Sequence, residues 1–67
     1  MPPLKRMARR IARLRHEHGW SQQQLAARAR VHRVYVARLE LGQQDPRVSV
    51  LLKIARALKV RMSDLIE

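Results

Sequence analysis

Four side chains between positions 33 and 38 are of a kind that can act on a polyanion: Arg33, Val34, Ala37 and Arg38. At roughly 100° per residue they share one arc of a helix, and Val36, Leu39 and Glu40 share the opposite arc, with Val31 leading in beneath them. The outer arc holds two guanidiniums, a methyl and a branched apolar group, and Tyr35 sits on the flank. It lacks the Glu/Lys mixture of a solvated face, so it is expected to look outward at a polyanion. Other chemistry finds little support. His16, Glu17 and His18 are adjacent and would point in different directions from a helix, without the HExxH spacing of zinc enzymes. No paired carboxylates, no nucleophile with a base and no room for a pocket are evident. The expectation is therefore no enzyme activity, no metal, no cofactor and no small-molecule ligand.

An arc is useful only if something holds it. Ser21 with Gln24 three residues on is a reciprocal capping box, starting a helix from Ser21 to about Ala29 in which Leu25 and Ala29 repeat and Ala26 admits a crossing neighbour. A break at Arg30-Val31-His32 precedes the helix that runs to Glu40, and Gly42 stands where a left-handed residue closes it. Two such short helices bury no core alone, so others must clamp them. Pro2 and Pro3 suit a helix start, Leu4, Met7, Ile11 and Leu14 form its apolar stripe, and Gly19 stops it. Trp20 should pack between the first and second helices. After a polar loop of Gln43, Gln44 and Asp45, Asp45 reads as a cap with Pro46 at the first helical position. A clamp helix then runs from Val48 to Leu58, with Val48, Leu51, Ile54, Ala55 and Leu58 on its apolar face. Lys59 occupies a position where glycine is more usual. A last short helix, near Met62 to Ile66, has Ser63 and Asp64 close to its start.

Composition limits the partners. The 67 residues carry a net charge of +10 and no cysteine, and Trp20 and Tyr35 are the only aromatic residues. One small aliphatic helical core, formed by a single domain over residues 1–67, is the expectation. Reducing cytosol is the natural setting of a chain without thiols. Up to Leu39 the only acid is Glu17, so the field favours phosphate. A basic amphipathic first helix can also bind anionic lipid, but its narrow, non-aromatic stripe favours core, and no run approaches membrane-spanning length.

From about Met7 to Glu67 the chain resembles the phage-repressor-type (Cro/XRE) helix-turn-helix DNA-binding family. The resemblance rests on HGWSQQQLA, VHRVYVARLELG, DPRVSVLLKIARAL and the final V-R-M-S-D-L-I, in the family's order and spacing. It implies an all-α, five-helix lambda-repressor-like domain with the helix-turn-helix in helices 2 and 3. Arg33, Val34, Ala37 and Arg38 would then contact bases: guanidiniums suit guanine O6 and N7, and Val34 a thymine methyl. Gln22, Gln23, His32, Tyr35, Gln43, Gln44 and Arg47 would meet phosphate or sugar. Arg15 would pair with Glu40 to set two helices. Met62, Leu65 and Ile66 exceed what the last helix needs for its own core, and relatives dimerise through this end. The chain departs from the family at Arg30, where glycine is common, and at His32, where Ser or Thr usually caps. Arg30 implies backbone strain of about 1 kcal/mol.

The leading expectation is sequence-specific double-stranded DNA binding by a homodimer, as a cytoplasmic, nucleoid-associated transcriptional repressor on a palindromic operator. One alternative is an antitoxin or protein-binding adaptor on the same fold. Another is non-specific binding to RNA or a lipid surface through charge alone, which predicts no palindromic footprint.

Overall fold

The computed structural model describes residues 3–66, which form five helices and no strand. They are α1 (Pro3–Glu17), α2 (Gln22–Ala29), α3 (Arg33–Glu40), α4 (Val48–Leu58) and α5 (Met62–Ile66). Pro2, expected to help start the first helix, and Glu67 lie outside the described residues. Helix α3 packs on α1 and α2, α4 closes over α2, and α5 joins α1 to α4. The short helix-turn-helix thus has the clamps it needs.

The core is aliphatic. Ile11, Leu25, Val36, Leu39, Ile54, Leu58 and Leu65 are fully buried. The α1 stripe is broader than Leu4, Met7, Ile11 and Leu14: Ala8 and Arg15 are buried with it, and Leu4 and Leu14 are only half-buried. Trp20 sits at the core edge, stacked on the His18 ring at 4.2 Å, with the Arg28 guanidinium 4.5 Å from its centre. His18 Nε2 lies 2.9 Å from the Leu58 carbonyl, tying the end of α1 to the end of α4.

One closing device ends four helices. The residue after the last turn turns left-handed, and two consecutive N–H groups donate back to the final carbonyls. The pairs are Gly19 to His16 with Trp20 to Arg15, and Arg30 to Ala27 with Val31 to Ala26. Gly42 to Leu39 with Gln43 to Arg38, and Lys59 to Arg56 with Val60 to Ala55, complete the set. Arg30 (φ 59°) and Lys59 (φ 62°) adopt the conformation despite their Cβ atoms, at a cost of roughly 1–2 kcal/mol each. Part of that is recoverable. Lys59→Gly should raise stability by about 0.5–1 kcal/mol, after the glycine's greater unfolded-state entropy is deducted. Thermal denaturation should show this as an increase of a few degrees, about 2–6 °C; an unchanged or lower midpoint would refute the strain.

Two expectations need correction. Asp45 and Pro46 do not open α4: its N-cap is Arg47, which is extended (φ −67°, ψ 155°) and makes no side-chain cap hydrogen bond. With Arg47 extended, no helical turn can include Pro46. Val48 is consequently the first helical residue, roughly 70° off the centre of the buried arc at 100° per residue, and is 68% exposed instead of lying in the core. Leu65, expected at a dimer surface, is fully enclosed in the chain's own core. Alone, α5 would have little to bury, but α1 and α4 both pack on it and cover that side chain.

Candidate nucleic-acid interface

The position of α3 is set by one polar cluster on its inner side. Arg15 donates from Nε to Glu40 Oε2 at 2.7 Å and from NH2 to Oε1 at 2.9 Å. Its third nitrogen donates to the Trp20 carbonyl at 2.8 Å, and Gln22 Nε2 donates to Glu40 Oε1 at 3.0 Å. The side chains of Arg15 and Glu40 are only 11% and 6% exposed. The fork to Glu40 raises the Arg15 pKa above its ordinary value, against the opposing effect of burial. Three helices therefore converge on one carboxylate, and α3 cannot rotate without breaking them apart.

The starts of α2 and α3 both face the same task of satisfying free N–H groups. Ser21 Oγ accepts from the Gln24 N–H at 3.0 Å, and the Ser21 N–H donates to Gln24 Oε1 at 2.8 Å. Gln24 is thus committed to capping, and Gln23 stands exposed beside it. Gln22 gives one amide hydrogen to Glu40 and keeps a second for a phosphate. At α3 the cap is an imidazole: His32 Nδ1 accepts from the Val34 N–H at 3.1 Å. In the neutral ring that leaves the proton on Nε2, as a donor for phosphate. The sequence shows a missing Ser/Thr at this position, whereas the structure shows a histidine doing its work.

The outer arc of α3 is free. Arg33, Val34 and Arg38 are exposed, and Ala37 between them is half-buried and small. The ion pairs among the described residues are Arg13–Glu17 and Arg15–Glu40, so neither Arg33 nor Arg38 is neutralised. Tyr35 lies half-buried on the flank. Burial raises its pKa, Arg47 pulls it down and Asp45 pushes it up, with a net rise. The phenol therefore stays protonated at neutral pH and can donate to a phosphate oxygen. In the following loop Gln43 and Arg47 are exposed and Gln44 is half-buried. The Gln43 N–H is spent on the Arg38 carbonyl, leaving only its side chain for a ligand. On α4 and α5, Val48, Leu52 and Ile66 are exposed and Met62 is half-buried. Among the described residues no group of His, Asp or Glu could hold a metal, and no helix is long and apolar enough to cross a membrane.

An inward-locked helix with an arginine-bearing outer arc is the arrangement that reads a duplex groove. Known proteins share it. A regulator of Sinorhizobium fredii described as an uncharacterised HTH-type transcriptional regulator is 38% identical over 56 residues, 84% of this chain and 73% of its own length. One from Archaeoglobus fulgidus, described in the same way, is 36% identical over 59 residues, 88% of this chain and 84% of its own. The restriction-modification controller protein C.AhdI from Aeromonas hydrophila superposes with a TM-score of 0.89 at 34% identity, over 92% of this chain and 94% of that one. A hypothetical transcription factor from Neisseria, NHTF, gives 0.89 at 31% identity, over 96% and 75%. Residues 11–65 match the helix-turn-helix family as a whole. The chain belongs to that family, the DNA-binding transcriptional regulators of the Cro/C1 (XRE) type.

Proposed function

We propose that this regulator binds a palindromic operator in double-stranded DNA as a homodimer, with α3 of each protomer in the major groove, and represses transcription by occupying the site. The reading carries no catalytic step and needs no cofactor; its setting is the cytoplasm, on DNA. The observation that carries it is the two-sided character of α3. Val36, Leu39 and Glu40 are held inside, whereas Arg33, Val34 and Arg38 are left unpaired on a rigid support. In this reading the arc supplies base contacts, with Ala37 allowing close approach. Gln22, Gln23, His32, Tyr35, Gln43, Gln44 and Arg47 supply phosphate contacts that fix the register. Val48, Leu52 and Ile66, with the edge of Met62, offer α4 and α5 an apolar surface for a second copy.

Selection of bound duplexes from a random pool tests it. The expected product is an inverted repeat with half-site centres about 34 Å apart, one helical turn. Sedimentation should give two protomers per duplex, and a reporter placed downstream should fall when the protein is expressed. Recovery of unrelated duplexes in equal amounts would sink the proposal in favour of charge-driven binding. A stoichiometric small protein captured by a chain that selects no duplex would favour the adaptor reading.

A further inference from the structure

A second basic feature lies away from the outer arc of α3. Arg28 and Arg30, from the end of α2 and the turn, and Lys53 and Arg56, from α4, line one shallow depression whose floor is Ala29 and Ala57. All four cations are exposed, and no acid lines the depression. Residues 28–30 and 53–56 are far apart in sequence and meet because α4 packs on α2. The two alanines matter because a small floor lets a ligand approach all four head groups at once. Arg28 is also oriented: its guanidinium lies over the Trp20 ring, which fixes the plane and leaves its edge N–H groups free to donate. Arg30 is held in a left-handed conformation by two backbone hydrogen bonds at the turn. Four like charges so arranged repel one another, and an anion with several oxygens relieves that repulsion.

We propose that this depression is a second phosphate-binding site, taking the phosphodiester backbone of DNA outside the base pairs read by α3. The inference rests on the DNA-binding function proposed above and extends it to a surface that function does not need. Arg30 stands only three residues before Arg33, so the site flanks the reading helix and does not overlap it. The phosphates come either from the flank of the same duplex or from a second duplex held alongside.

The test is the doubly substituted K53Q/R56Q protein, measured against wild type on a minimal operator and on the operator lengthened by a helical turn at each end. Both residues are exposed and remote from the α3 arc, and matching thermal denaturation of the two proteins establishes that the fold is intact. Two lost phosphate contacts should lower the slope of log K against log salt by roughly 2, and weaken binding about tenfold or more near 0.1 M salt, equally for all sequences. A deficit on the long duplex alone assigns the phosphates to the flank. Loss of a second binding step on the short duplex assigns them to another duplex. Unchanged affinity, slope and stoichiometry at both lengths would overturn the site, as would an effect seen only with inorganic polyphosphate. If the wild-type protein selects an operator while K53Q/R56Q matches it, this inference alone fails. If wild type selects none, the proposed function fails first.

Discussion

Glu40→Ala should destabilise the fold by about 3–5 kcal/mol, because it strands the buried Arg15 guanidinium without its counter-charge. Arg15 and Glu40 are nearly enclosed and joined by two charge-assisted hydrogen bonds. Alanine removes both, and also takes the acceptor from Gln22. A 67-residue domain has roughly 3–10 kcal/mol in all, at about 0.05–0.15 kcal/mol per residue. The variant should therefore be marginal at 25 °C, with a urea midpoint shifted toward zero at unchanged slope. The double substitution Arg15→Met with Glu40→Leu separates two meanings of that loss. If the pair mainly avoids an unpaired charge, two apolar residues of similar bulk should recover most of the stability. DNA binding by the double variant then reports on orientation, since nothing polar remains to fix the rotation of α3. A loss below about 1 kcal/mol for Glu40→Ala would put the pair in the class of surface ion pairs and remove it as the anchor of α3.

How much of this was legible in the chain depends on how local each signal is. The capping box of Ser21 and Gln24 was readable because both partners lie within four residues and their geometry follows from the helix itself. The two sides of α3 were readable because 3.6-residue periodicity needs no knowledge of the partners. The start of α4 was not. Asp45-Pro46 has the chemistry of a helix start, yet Arg47 stays extended and the first turn begins at Val48. Cap residues are permissive, and the loop's path is decided by what it packs on: Asp45 and Pro46 border a groove with Leu4, Leu51 and Ile66 from three helices. Leu65 failed for a related reason. A short terminal helix shows an apolar excess, and only the packing of α1 and α4 on it tells which residue is covered. The basic depression was out of reach altogether, since its halves are more than twenty residues apart. Arg15 and Glu40 were named through the family resemblance alone; 25 residues separate them, and no periodicity pairs residues at that distance.

Arg38→Ala should leave the fold intact and cost specific binding about 1–3 kcal/mol per half-site, so about 2–6 kcal/mol for a dimer on a symmetric operator. The fold is spared because Arg38 is exposed, its role in closing α3 uses only its carbonyl, and alanine is the best helix former. Any loss therefore belongs to the ligand. A guanidinium that donates twice to one guanine gives a particular signature. Changing that base pair in both half-sites should weaken the wild-type protein by the same amount, and should weaken Arg38→Ala hardly further. A phosphate contact behaves otherwise: Arg47→Ala, on the loop before α4, should weaken all duplexes alike and lower the salt slope by about 1 per protomer. If Arg38→Ala gave this second pattern, the arginine would belong to the backbone contacts and α3 would lie shallower in the groove. The base-pair cycle distinguishes the two because one free energy depends on sequence and the other on counterions.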